Sequence, residues 1–284
     1  MGAELNPNMT PENIERLKAI YGLDKPLITQ YTDWVKNLIT LDFGISFVSG
    51  ADVSSVILER LPITLTMNII SLVAVFFLSL YMGIKSALHY EQKSDTIIKQ
   101  LSLISFAMPS YYLALILILF FSLYLGVLPI AGLHSLDAPE DTMLYYLDMA
   151  HHLLLPISIM IFVGFGSLTL YIRSLTIEIL KSDYIYFARS RDLPTATIIR
   201  YYILPNLLPP IVTMLGLSLP SLIGGSVILE SIFAIEGMGQ LFYLSAMSRD
   251  YPVIMGILMM GAFLTLLGNQ IADAILTKIN PFVK

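Results

Sequence analysis

Cysteine is absent from the 284 residues. That excludes a disulfide framework, a thiol nucleophile and a Cys-based metal site. Charge is also scarce: 13% of residues are charged and 56% are hydrophobic, about half the charged share of an average soluble domain. At a mean hydropathy of +0.75, too few polar groups remain to cover a water-facing surface. The net charge of -5 gives no basic footprint for nucleic acid. There is no Gly-x-x-x-x-Gly-Lys-Ser/Thr phosphate loop, no Gly-x-Ser-x-Gly elbow and no His-Glu-x-x-His, so no catalytic residue and no cofactor are expected. Residues Met1 to Glu15 lack the basic start and apolar run of a signal peptide.

Long apolar runs are what the chain does have. Five reach the roughly 20 residues that a helix needs to cross a bilayer: Ile63 to Ile84, Leu101 to Leu128 with an interruption at Met108-Pro109, His152 to Ile172, Leu207 to Leu229, and Val253 to Leu276. They are apolar on every face, which excludes the alternating pattern of membrane strands. The fold class is therefore all-α, a polytopic transmembrane helical bundle of about five spans.

Charge sorts the connecting loops. Ten of the sixteen basic residues lie in 85–100, 173–206 and the tail, whereas 126–150 carries Asp137, Glu140, Asp141 and Asp148 without a Lys or Arg. By the positive-inside rule the basic loops and the C-terminus face the cytoplasm. Residues 1–62 then form an extracytoplasmic head, ahead of a transmembrane domain over 63–284. Thr10-Pro11-Glu12-Asn13 starts one helix in the head, ending at Gly22, and Asp24-Lys25-Pro26 starts a second through Trp34, Leu38 and Leu41. An acidic head is placed outside either by the first span translocating it unaided or by a further span ahead of it, and the second is the expectation.

The stretch 173–206 is the richest in signal. The third run continues as helix to Phe187, Asp192-Leu193-Pro194-Thr195 breaks it, and a second helix passes through Ile198, Ile199, Tyr202 and Ile203. On the residues alone this is either a solvated loop or a docking element for a partner.

The same loop resembles the EAA loop of binding-protein-dependent ABC permeases. Tyr186-Phe187-Ala188 stands at its first positions, Asp192 at its Gly, and Tyr202-Ile203-Leu204-Pro205 at its end. Asp183 to Leu193 is similar to the Asp-Tyr-x-x-x-Ala-Arg-x-Lys-Gly-Leu form of the dipeptide, oligopeptide and nickel branch, with Arg191 for Lys and Asp192 for Gly. Further likeness lies in Ile57 to Leu65, in Tyr21 to Pro26, in Gly224 to Phe233, in Gly237-Met238-Gly239 and in Arg249-Asp250-Tyr251-Pro252, with Glu236 where Pro is usual.

The resemblance implies the B-type permease subunit of an ABC importer in the bacterial inner membrane, with the type I permease fold. It also implies partners: a second homologous permease, two cytoplasmic ATPases that hydrolyse ATP, an extracytoplasmic substrate-binding protein and membrane lipid. Dipeptides or oligopeptides are the expected cargo, with nickel as the alternative. Such permeases begin with a further basic, apolar span, and its absence leaves a truncated, non-functional permease as another alternative. Ala188, Arg189, Ser190, Arg191, Asp192, Leu193, Pro194 and Thr195 are the candidate ATPase-coupling residues, with Leu193 and Pro194 as the apolar contact.

Gly224, Gly225, Ser226 and Glu230 are candidates for a pathway or gate. Helix packing at the glycines and a helix cap at Glu230 stay open as alternatives. His134, His151 and His152 invite a metal reading, yet adjacent histidines point to different faces of a helix, and no metal site is assigned. The opposing class is a membrane enzyme, for which the candidate catalytic residues within the spans are too sparse, or a receptor-like signalling protein.

Overall fold

A helix rises about 1.5 Å per residue, so sequence length sets what can cross the roughly 30 Å hydrocarbon layer. The computed structural model describes residues 25–40, 42–135, 137, 142–224 and 227–279. Helix α1 is Leu27–Ile39, α2 is Val53–Leu88, α3 is Lys93–Ala107, and α4 is Ser110–Leu117, prolonged by a π-helical stretch Ile118–Tyr124. Helix α5 is Met143–Leu180, α6 is Asp183–Ser190, and α7 is Thr195–Ile198, which runs through a π-helical Ile199–Ile203 into α8, Leu204–Gly224. Helices α9 (Val227–Ile232), α10 (Met238–Ser248) and α11 (Tyr251–Ile279) complete the order. The head helix expected from Thr10 to Gly22 lies outside the described residues.

Four described stretches are long and apolar enough to span a membrane: Val53–Leu88, Met143–Leu180, Thr195–Gly216 and Tyr251–Ile271. The remaining expected span is a bent pair. Lys93–Ala107 and Ser110–Tyr124 meet at 100°, because the residue before a proline is driven out of the helical region and Met108 is extended at ψ 121 before Pro109. The boundary expected at residue 62 falls inside α2, which starts at Val53, where the Asp52 side chain accepts from Ser55 N. Pro62 continues that helix, as membrane helices tolerate proline when their neighbours satisfy the freed backbone.

Helices α2 and α5 form the central pair and run in the same direction. Ser79 Oγ donates to the Phe165 carbonyl at 3.1 Å, and a Cβ on Gly83 would lie 2.7 Å from Ile172 Cγ2. Glycine at 83 is what permits that approach. Helix α3 packs on the same pair, with Ser105 Oγ donating to the Phe162 carbonyl. One buried cluster, including Ile84, Ile172, Ile185 and Ile203, lies at the end carrying the basic loops. At the opposite end Val53, Ile57, Met238, Val253 and Ile257 form another. Ile70, Phe77, Phe263 and Leu266 are exposed along the outside, as suits helices facing lipid or other membrane helices.

Candidate coupling loop and acidic-end clasps

The loop at the basic end is built from a helix stop with defined geometry. Asp192 takes a left-handed conformation, φ +52. Its N–H donates to the Arg189 carbonyl at 2.9 Å, and Leu193 N donates to the Ala188 carbonyl at 3.3 Å. This pair of bonds is the Schellman motif, in which glycine normally holds the left-handed position. Asp is among the residues that adopt it at least cost, so the substitution at the resembling motif's Gly position leaves the turn intact. Pro194 then opens α7 in extended conformation at ψ 143.

Two details depart from the expected loop. The third long helix does not reach Phe187: it ends at Leu180, and α6 restarts after an extended Ser182. Ser182 followed by Asp183 is a helix-start pair, and Ile185 and Tyr186 donate to the Ser182 carbonyl. Leu193 is half-buried and packs into the chain's own basic-end cluster, rather than standing free as an apolar contact. Ile185 and Ala188, one helical turn apart, face that cluster with 0% and 3% exposure. Tyr186 and Phe187 are consequently turned outward, with 71% and 65% exposure. The i, i+3 spacing of the buried pair is the signal that could have found them. Arg189, Ser190, Arg191, Asp192, Pro194 and Thr195 are exposed around them, and the Tyr184 and Tyr202 rings stack at 6.5 Å across the loop.

Of the four pathway candidates, Gly225 and Ser226 lie outside the described residues, and Gly224 ends α8. Glu230 is 1% exposed. Its Oε2 accepts from Gly239 N at 2.8 Å and Gln240 N at 3.1 Å, and its Oε1 accepts from Thr64 Oγ1 at 3.2 Å. Thr64 Oγ1 in turn accepts from Met238 N at 2.8 Å. A carboxylate and a hydroxyl thus satisfy the first N–H groups of α10, where negative charge is favoured by the helix dipole. The Gly237-Met238-Gly239 signature follows from space, because a Cβ on Gly237 would lie 2.5 Å from both Glu230 Oε2 and Thr64 Oγ1. Glu236 forms an ion pair with Arg60 at 2.5 Å.

A second clasp was not foreseen. Asp250 is buried and accepts from Ser46 Oγ at 2.5 Å, Phe47 N at 3.0 Å and Val48 N at 3.4 Å. It ties the loop 42–52 to the start of α11. Near the acidic end, Asp148 Oδ2 lies 3.6 Å from His152 Nδ1 and 3.8 Å from His134 Nδ1. Among the described residues no three His, Cys, Asp or Glu side chains are grouped to hold a metal ion.

The family described as binding-protein-dependent transport system inner membrane component matches residues 75–284, and the N-terminal part of such membrane components matches 4–68. The oligopeptide transport system permease protein AppB of Bacillus subtilis is 36% identical over 99% of this chain and 88% of its own length. The dipeptide transport system permease protein DppB of Lactococcus lactis is 31% identical over 98% and 88%. The metal-staphylopine import system permease protein CntB of Staphylococcus aureus is 32% identical over 98% and 85%. Among solved structures, a chain of the MetNI methionine ABC transporter in inward facing conformations superposes with a TM-score of 0.62 at 19% identity, covering 80% of this chain and 97% of that one. The fold is thus that of type I ABC importer permeases. The chain belongs to the family of inner-membrane components of binding-protein-dependent transport systems.

Proposed function

We propose that this chain is the B-type permease subunit of an importer of dipeptides or oligopeptides. It pairs with a second permease, stands on two ATPases at its basic end and receives substrate from a binding protein at its acidic end. The basic loops and the C-terminus face the cytoplasm. The names of the relatives AppB and DppB support the cargo. One observation carries the coupling role: α6 and its Schellman turn pack on the chain's own core through Ile185, Ala188 and Leu193, while Tyr186, Phe187 and Pro194 remain exposed among Arg189 and Arg191. Exposed aromatic residues ringed by charge form a docking face for a protein partner. The pathway role of Gly224, Gly225, Ser226 and Glu230 is part of this reading, with Glu230 acting on the path through the position of α10.

Phe187→Glu tests the docking face. Because the ring is exposed, the substitution leaves the loop's own packing in place, and the membrane level of the permease is expected to stay normal. Co-purification of the ATPases is expected to fall by about tenfold or more, the usual loss at an aromatic anchor. Unchanged co-purification together with unchanged uptake would refute the role of this loop.

A further inference from the structure

The strongest polar assembly outside the loop lies on the helices that support it. Asp95 of α3 is 2% exposed, and its carboxylate collects donors from three places. Ser86 Oγ at the end of α2 donates to Oδ1 at 2.5 Å. Glu91 N, in the turn between α2 and α3, donates to Oδ2 at 2.9 Å. Arg173 of α5 closes the set as a bidentate partner, Nε to Oδ1 at 2.7 Å and Nη2 to Oδ2 at 2.8 Å. Arg173 Nε also reaches Ser86 Oγ at 3.1 Å, and its guanidinium carbon stands 5.4 Å from the centre of the Tyr90 ring.

Stability alone is a weak account of such a pair. Desolvation offsets most of the attraction in a buried ion pair, and well-packed apolar residues often serve as well. What a bidentate pair adds is register, since planar guanidinium and carboxylate fit together in few ways. The apolar contacts between α2 and α5 are non-directional, whereas this joint has one preferred geometry.

Its position gives the register a use. Arg173 stands about three helical turns before α6. Below it, Ile172 and Ile84 share one buried cluster with Ile185, Ala188, Ile198 and Ile203 of the loop. A displacement of α6 therefore moves the end of α5, and the ion pair obliges α2 and α3 to follow. We propose that Asp95 and Arg173 are positioning residues for transport, the joint that passes movement of the coupling loop to α2 and α3 as one rigid body. This rests on the reading of Ala188 to Thr195 as ATPase-coupling residues.

The test uses the complete importer in proteoliposomes and reads uptake of a labelled oligopeptide together with ATP hydrolysis. The double variant Asp95→Asn, Arg173→Gln removes both charges, leaves no unpaired ion in the buried site and keeps hydrogen-bonding groups of similar size. If the pair only stabilises the fold, a double variant that assembles normally also transports normally. The positioning role predicts normal assembly and ATP hydrolysis with uptake per ATP reduced about tenfold, and substantial recovery in Asp95→Glu, where the ion pair is kept. A ratio within about twofold of wild type overturns the proposal. Failure of the double variant to assemble overturns it as well, since the pair is then a folding element. Phe187→Glu separates the two readings: an unaffected Phe187→Glu importer removes the coupling loop itself, whereas a damaged one beside a normal double variant removes only the joint.

Discussion

Asp192 shows how one side chain can depart from a motif without losing its geometry. The turn needs a left-handed residue, and the φ of +52 at Asp192 supplies it. Left-handed backbone costs a typical L-residue ~1–2 kcal/mol, least for Gly and little for Asn or Asp. Asp192→Gly is therefore expected to leave the thermal midpoint of the purified permease unchanged or raised. Asp192→Val, β-branched at the same φ, is expected to lower stability by about 1 kcal/mol or more. Size-exclusion profiles after heating, compared across the three proteins, provide the measurement. Equal midpoints for Val and Gly would show that the turn is not held as described.

Short elements at the acidic end depend on single carboxylates in the same way. The loop 42–52 has a bridge between Ile45 and Asp52, and Asp250 fixes its tip through Ser46, Phe47 and Val48. Asp250→Ala is expected to release that tip, raising amide exchange at Phe47 and Val48 about tenfold or more while α2 stays protected, because one anchor to a charged acceptor is worth about 1.5–3 kcal/mol. Unaltered exchange at both amides would contradict the clasp. Neither the Asp250 clasp nor the Thr64 contact of Glu230 was legible in the sequence, since these partners lie 204 and 166 residues apart and no local periodicity encodes a meeting at that range. The cap that Glu230 places on Gly239 N and Gln240 N is local, and a helix cap is one of the readings the sequence leaves open for that residue. The break at Asp192 was legible, since helix stops are written in neighbouring residues. The restart at Ser182-Asp183 was equally local, but the apolar run through Ile177 and Ile179 masked it. Pro62 is accommodated inside α2, because a membrane helix tolerates proline that would break a helix in water.

At the scale of the whole molecule, the apolar runs and the charge asymmetry both follow from the bilayer acting as solvent, which is why five crossings could be counted from sequence while the 100° bend at Met108-Pro109 could be located but not measured. The same asymmetry predicts an orientation that can be tested directly. On the proposed orientation, basic residues hold the turn between α2 and α3 in the cytoplasm and leave 126–150, which has none, outside. The absence of cysteine gives an unlabelled background. Gln92 and Asp137 are both exposed, and Gln92 makes no side-chain cap bond at the start of α3, so cysteine at either position disturbs no described contact. In intact spheroplasts a membrane-impermeant maleimide is expected to label Asp137→Cys and to spare Gln92→Cys until the membrane is permeabilised. Equal labelling of the two from outside would overturn the proposed orientation, and with it the proposed role of the 183–206 segment in coupling to ATPases.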